Sequence, residues 1–210
     1  MKTQLFLTSS VHAVAHDIAR RVDIARANKL VFIDTAAEPD TGDKEWLKND
    51  REALVQAGFA VADYTITGKT QEELMRDLDS FDYIYLSGGN TAYLLEQSQK
   101  SSFIPVIQDL VLRKGKIYIG TSAGSIIAGP KLPDYFSEEG AERLKDKSAF
   151  GLVNFTIMPH WGSEDFREAY LGELNIAYKK DQVPLLLLTD TQYAHLKDGR
   201  IDIVDVQSAK

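Results

Sequence analysis

The run Lys-Ile-Tyr-Ile-Gly-Thr-Ser-Ala-Gly-Ser at residues 116–125 decides both the fold and the place where function is expected. Residues 116–119 predict a short buried strand, and the residues after Ser122 predict a short helix. Gly120, Ser122 and Gly124 therefore form a Gly-x-Ser-x-Gly pattern between a strand and a helix. A serine on so sharp a turn needs flanking glycines, because Cβ atoms there would clash. The pattern predicts a projecting hydroxyl beside the backbone N–H groups of a helix N-terminus, where an oxyanion would form.

On both sides of this motif, short apolar runs alternate with amphipathic stretches. This alternation predicts parallel strands joined by helices. We expect one α/β domain over residues 1–210, with a doubly wound, mostly parallel sheet of the flavodoxin-like type flanked by helices and a C-terminal hairpin around Asp198-Gly199. The strands are expected at residues 4–8, 30–34, 59–66, 83–86, 116–119, 155–158, 185–188, 192–196 and 201–204. In such sheets the functional loops follow the carboxyl ends of the strands.

A second glycine-rich loop follows the strand expected at residues 83–86. There Gly88 and Gly89 allow a turn whose N–H groups point at one spot, which suits an oxyanion or a phosphate. Because both loops open on the same edge of the sheet, an oxyanion hole could draw one N–H from Gly88 or Gly89 and one from Ala123. A simple strand-to-helix turn without chemistry is the alternative.

A serine becomes a nucleophile at neutral pH only with a general base beside it. The chain has four histidines. His160 follows the strand expected at residues 155–158 and is the predicted base. His12 and His16 share one helix face, which reads as a solvated surface, and His195 lies in the terminal hairpin and is expected to be structural.

A triad also needs a carboxylate to orient the imidazole. Asp134 ranks first, because it lies closest to the helix after Ser122 and follows two stiffening prolines. Glu138 or Glu139 ranks next. The remaining acidic candidates are Glu142, Asp146 and Asp165.

Composition narrows the chemistry further. The 210 residues contain no cysteine, which excludes thiolate nucleophiles, disulfides and Cys-type zinc sites, and the scattered histidines predict no metal. No cofactor is expected. The formal net charge of −7 disfavours nucleic acid and anionic membranes as partners. The lack of cysteine, of a long apolar span and of a signal-peptide pattern favours a cytoplasmic protein.

Three motifs together resemble the peptidase E family, peptidase family S51, to which the cyanophycinases are related. They are Ser-Gly-Gly-Asn-Thr at residues 87–91, Gly-Thr-Ser-Ala-Gly-Ser at 120–125 and Pro-His-Trp-Gly at 159–162. The resemblance implies a fold like that of class I glutamine amidotransferases, with serine in place of their nucleophilic cysteine. It also implies Ser122 as nucleophile, His160 as base, and cleavage of short peptides with an N-terminal aspartate. Residues 130–137 lack the Asn-Asp pair that carries the acid in that family.

Other functions fit parts of the same pattern. An α/β-hydrolase esterase shares Gly-x-Ser-x-Gly and the order serine, acid, histidine. A non-catalytic small-ligand-binding module with a degenerate peptidase site would also use the glycine-rich loops. The expected partner is a small peptide substrate, and both a monomer and a homodimer are compatible with the sequence.

Overall fold

A computed structural model describes residues 3–134, 136, 139–180 and 183–208. Its strands are β1 (Gln4–Thr8), β2 (Lys29–Ile33), β3 (Ala60–Tyr64), β4 (Tyr83–Leu86), β5 (Ile117–Thr121), β6 (Thr156–Met158), β7 (Leu185–Leu187), β8 (Gln192–Lys197) and β9 (Arg200–Asp205). Its helices are α1 (Val11–Arg20), α2 (Glu45–Gln56), α3 (Gln71–Leu78), α4 (Thr91–Lys100), α5 (Phe103–Gln108), α6 (Ala123–Ile126) and α7 (Arg167–Lys180). Among these described elements, no helix is long and apolar enough to cross a membrane.

The main sheet has seven strands in the order β3-β2-β4-β5-β1-β8-β9. The first five strands in this order, from β3 to β1, pair in parallel. The last two are antiparallel: β8 pairs with β1, and β9 pairs with β8. The carboxyl ends of β4, β5 and β1 therefore lie side by side on one edge. This is the edge on which the two glycine-rich loops open, as the alternating pattern predicts.

Each central strand packs apolar side chains on both faces, as a parallel sheet covered by helices requires. In β4, Ile84 and Leu86 join the cluster beneath α3, α4, α5 and α6, while Tyr83 and Tyr85 join the cluster beneath α1 and α2. In β1, Phe6 lies on the α1 side. The two cores hold the central strands rigidly, so the loops at their ends start from fixed positions.

The predicted α/β class, the mostly parallel sheet and the C-terminal hairpin are confirmed. Two details differ. The strands β6 and β7, expected in the main sheet, form a separate two-stranded parallel sheet. The helix α7 was not predicted, because its apolar residues form no single stripe and Leu171, Ile176 and Tyr178 are exposed.

Close backbone packing seats α6 on the main sheet. A Cβ atom on Gly124 would lie 2.3 Å from the carbonyl oxygen of Leu86, and a Cβ on Gly120 would lie 2.6 Å from the carbonyl oxygen of Gly124. Both distances are far below a van der Waals contact. Glycine is therefore required at each position for the helix to approach β4 and β5.

Gly124→Ala should destabilise the protein by about 1–3 kcal/mol, the usual cost of forcing extra volume into a packed core. The measurement is urea unfolding followed by circular dichroism.

The matched control is Gly172→Ala in α7, where the new Cβ would meet nothing within 4 Å beyond its chain neighbours and the backbone of its own helix. Alanine there should stabilise the helix by up to about 1 kcal/mol. Equal effects of the two substitutions would contradict the packing argument.

Candidate active site

The turn between β5 and α6 holds Ser122 in an unusual backbone conformation, with φ 49° and ψ −109°. A non-glycine residue at positive φ costs on the order of 1–3 kcal/mol and persists only where its surroundings enforce it. Here the N–H of Ser122 donates to the Thr8 carbonyl at 3.1 Å. The buried Ser125 hydroxyl bonds the carbonyls of Thr8 and Gly120 at 2.7 and 2.9 Å. These bonds tie the turn to the end of β1.

The imidazole of His160 lies within hydrogen-bonding distance of the Ser122 hydroxyl. His160 lies just after β6, and its Nε2 is 3.0 Å from Ser122 Oγ. Its backbone also has positive φ, at 55°, and its ring stacks on Phe166 with centroids 4.8 Å apart. The ring is thus held between the serine and an aromatic surface.

The carboxylate that reaches His160 is Asp190, in the loop after β7. Its Oδ1 lies 2.6 Å from His160 Nδ1. The hydrogen bond from His160 lowers the pKa of the Asp190 carboxyl, against the opposing effect of partial burial. An ionised Asp190 favours the tautomer with the proton on Nδ1, which leaves Nε2 free to accept the serine proton.

Ser9 links these two residues to the main sheet. It follows β1 and is fully buried. Its Oγ donates to Asp190 Oδ1 at 2.7 Å and accepts the backbone N–H of His160 at 2.7 Å. One hydroxyl therefore fixes both the acid and the backbone that carries the base.

The structure does not bring the predicted acid, Asp134, to His160. The Asp134 carboxylate instead lies 3.1 Å from Lys147 Nζ. Both ring nitrogens of His160 are occupied by other partners, Ser122 and Asp190. Asp190 lies outside the segment between the serine and the histidine, where the first-ranked candidates were expected.

The other acidic candidates also lie elsewhere. Glu139 is exposed, and its backbone carbonyl accepts from Asn90. Glu142 pairs with Arg143, while Asp146 accepts the N–H of Ser148. Asp165 lies in the exposed 3₁₀ turn Glu164–Phe166, and Glu138 lies outside the described residues.

A signal for Asp190 was present in the sequence. Met158 pairs with Leu187 in the parallel sheet of β6 and β7, so the residues after both strands emerge on the same side. The strand-end rule that selected His160 therefore selects Asp190 when it is applied to the strand expected at residues 185–188.

The predicted oxyanion-hole residues surround the serine. A Cβ atom added at Gly88 would lie 3.4 Å from Ser122 Cβ, so the loop after β4 runs close to the serine. Gly89 has φ 125°, and a Cβ there would lie 2.3 Å from the Ala36 carbonyl. Among the described residues, the N–H groups of Gly88, Gly89 and Ala123 have no protein acceptor. They remain available to a ligand.

A cavity of about 550 Å³ opens in front of Ser122. Its aromatic wall consists of Trp46, Phe136, Phe166 and Tyr170. Its described lining residues include two histidines, His12 and His160, and two carboxylic acids, Asp50 and Glu173. None of these lining residues is Lys or Arg. Its size suits a short peptide or another small ligand.

His12 faces this cavity rather than bulk solvent alone, which the sequence pattern did not predict. Its Nδ1 lies 2.9 Å from Ser10 Oγ and 3.2 Å from Asp50 Oδ1. Asp50 is buried in α2, and its other oxygen accepts from the Tyr85 hydroxyl at 3.0 Å. The hydrogen bond with Asp50 raises the pKa of His12, against the lowering effect of burial.

Comparisons with known proteins agree on one family. The model of peptidase family S51 matches residues 5–204. An uncharacterized peptidase of Pasteurella multocida is 31% identical over 170 residues, which cover 79% of this chain and 81% of that protein. A peptidase E of Shewanella oneidensis is 40% identical over 112 residues, covering 53% of this chain and 47% of that protein.

The fold is shared with a solved structure. The crystal structure of a candidate peptidase E from Listeria monocytogenes superimposes with a TM-score of 0.85 and 24% identity, over 98% of this chain and all of that chain (100%). At that identity the likeness shows the fold, whereas the family model spans nearly the whole sequence. The prediction from the motifs is confirmed: the chain belongs to peptidase family S51.

Proposed function

We propose that this chain hydrolyses short peptides through Ser122 as nucleophile, His160 as general base and Asp190 as the acid that orients the imidazole. The expected enzyme class, a serine peptidase of short peptides, is confirmed by the family and by relatives named peptidase E and probable alpha-aspartyl dipeptidase. The observation that carries the residue roles is the hydrogen-bonded series Ser122–His160–Asp190, at 3.0 and 2.6 Å.

In the first half-reaction, Ser122 Oγ attacks the carbonyl carbon of the scissile peptide bond while His160 Nε2 accepts the hydroxyl proton. The carbonyl oxygen becomes an oxyanion. When the tetrahedral intermediate collapses, the carbon–nitrogen bond breaks and His160 gives its proton to the leaving amine. The product is an acyl ester on Ser122 and a free amine.

In the second half-reaction, water attacks the ester carbonyl and gives a proton to His160. Collapse then breaks the bond to Ser122 Oγ, which recovers that proton. The acyl group leaves as a carboxylic acid, so one water is consumed for each peptide bond. Asp190 keeps its charge throughout and stabilises the imidazolium in both steps.

The free N–H groups beside Ser122 would stabilise the oxyanion. Removing one such donor typically costs about 3 kcal/mol of transition-state stabilisation. The N–H of Ala123 lies just after the nucleophile, and Gly88 and Gly89 supply donors from the neighbouring loop. Their positions are fixed by rigid strands, so little reorganisation is needed when charge develops.

The esterase and the non-catalytic module differ from this proposal in measurable ways. An esterase would turn over p-nitrophenyl acetate far better than dipeptides. A binding module would leave Ser122 unreactive towards a fluorophosphonate. The hydrogen bond between Ser122 and His160 favours a reactive serine over the second alternative.

Ser122→Ala should lower kcat for dipeptide hydrolysis by about 10⁴–10⁶-fold without unfolding the protein, because the nucleophile is lost. Labelling with a fluorophosphonate should disappear in the same variant, as read by intact-protein mass spectrometry. Ser80→Ala, at an exposed position before β4 on the opposite edge, is the control. Unchanged turnover in the Ser122 variant would exclude the proposed mechanism.

Asp190→Asn should reduce kcat by about 10³–10⁴-fold, because an amide no longer favours the reactive imidazole tautomer. Asp134→Asn is the matched comparison, since it alters the acid that the sequence predicted and that pairs with Lys147. Steady-state kinetics with one dipeptide decides between them. A large loss in the Asp134 variant with little loss in the Asp190 variant would reverse the assignment.

Ser9→Ala should lower kcat by about 10–150-fold with little change in KM, because a hydrogen bond to a charged group contributes about 1.5–3 kcal/mol. The substitution removes both the hydrogen bond to the Asp190 carboxylate and the hydrogen bond from the backbone N–H of His160. Ser9→Thr retains a hydroxyl and should recover part of the rate. A change confined to KM would show that Ser9 acts on substrate binding instead.

A further inference from the structure

The cavity in front of Ser122 has an unusual balance of charge. Of its described lining residues, Asp50 and Glu173 are buried carboxylic acids, while no Lys or Arg contributes. A substrate carboxylate entering this cavity would therefore meet no Lys or Arg among the described lining residues. Apart from the predicted base His160, the lining group that can become cationic is His12.

Hydrogen bonds hold the His12 ring in one orientation, as in a binding site, whereas a free surface side chain would rotate. Nδ1 is engaged by Ser10 and by Asp50, whose side chain is 4% exposed, while the His12 side chain is 50% exposed. The backbone N–H of His12 also donates to Asp50 Oδ1 at 3.3 Å. Among the described residues, Nε2 has no hydrogen-bond partner. The ring is thus oriented on one side and open on the other.

We propose that His12 is the anion-recognition residue of this peptidase, and that its Nε2–H binds a carboxylate of the short peptide substrate. This inference rests on the proposed function for the identity of the substrate. Two carboxylates of a dipeptide have the required chemistry, namely the side chain of an N-terminal aspartate and the C-terminal carboxylate.

Asp50 makes this arrangement pH-sensitive. Two carboxylates act on the charge of His12, Asp50 from α2 and Asp190 from the loop after β7. The other titratable groups that line the same cavity are His160, Tyr170 and Glu173. The raised pKa of His12 keeps its cation present to a higher pH than for a free histidine. As the pH rises through that pKa, the cation is lost, and affinity for a carboxylate should fall.

The test measures three dipeptides, Asp-Leu, Asn-Leu and Asp-Leu amide, from pH 5.5 to 8.5. Hydrolysis by the intact protein is followed by kinetics, and binding without turnover is followed by calorimetry on Ser122→Ala. The test variant is His12→Asn, whose amide can still donate to Asp50 near the Nδ1 position but presents no cation to the cavity. His16→Asn, at an exposed position one turn along α1, is the matched control.

We expect His12→Asn to weaken binding of Asp-Leu by about tenfold at pH 6. KM should rise while kcat changes little, and the dependence of KM on pH should flatten. If Asn-Leu is insensitive to the substitution, the aspartyl side chain is the recognised group. If Asp-Leu amide is insensitive, the C-terminal carboxylate is recognised.

Equal effects of His12→Asn on all three peptides, or no effect on any, would overturn the proposal. If His12→Asn loses binding and also lowers the melting temperature, the loss could come from destabilisation. The variant His12→Gln, which keeps a donor near the Nε2 position, then separates recognition from destabilisation. Restored binding of Asp-Leu in that variant supports recognition by His12, and unrestored binding opposes it. If the peptides bind but the intact protein cleaves none of them, the proposed function fails separately.

Discussion

The positive φ of Ser122 is the constraint on which the active edge depends. A serine at φ 49° is unfavourable on its own, so the turn must be held by its surroundings. The Thr8 carbonyl accepts both the Ser122 N–H and the Ser125 hydroxyl, and this ties the turn to the strand beside β5. The glycine contacts between α6 and β4 close the other side. The hydroxyl of the proposed nucleophile is consequently positioned by the ends of the central strands β1, β4 and β5.

The histidine and its acid come from a different piece of structure. The strands β6 and β7 form their own small parallel sheet, and each leads directly into one of the two residues. Ser9 joins that sheet to the end of β1 through bonds to both. The series Ser122–His160–Asp190 thus joins residues at the ends of two sheets, and the buried Ser9 hydroxyl bonds two of the three residues. Ser9 therefore contributes to the geometry of the site although it lies outside the three sequence motifs.

Much of this arrangement is local in sequence and could be predicted. The strand-turn-helix around Ser122, the loop at Gly88 and the hairpin at Asp198-Gly199 are each encoded by residues a few positions apart. Pairing between distant segments is different. The contact between His160 and Asp190 depends on the register of Met158 with Leu187, which no short pattern reveals. The helix α7 was not predicted for another reason: its exposed apolar residues form no continuous stripe along the helix. His12 appeared solvated because its partner Asp50 belongs to another helix.

The net charge of −7 and an acidic substrate are compatible if recognition occurs at contact. At physiological salt, charges more than about 8–10 Å apart are largely screened, so the overall negative charge has little effect on a ligand inside the cavity. A protonated His12 beside an ionised Asp50 would be nearly neutral from a distance, but its Nε2–H would still present positive charge to a group in direct contact. Such a pair discriminates by hydrogen-bond geometry rather than by attraction from afar. A permanently charged arginine would bind any carboxylate more strongly, whether it belongs to the substrate or to the product. A histidine, whose charge depends on pH, would bind both more weakly.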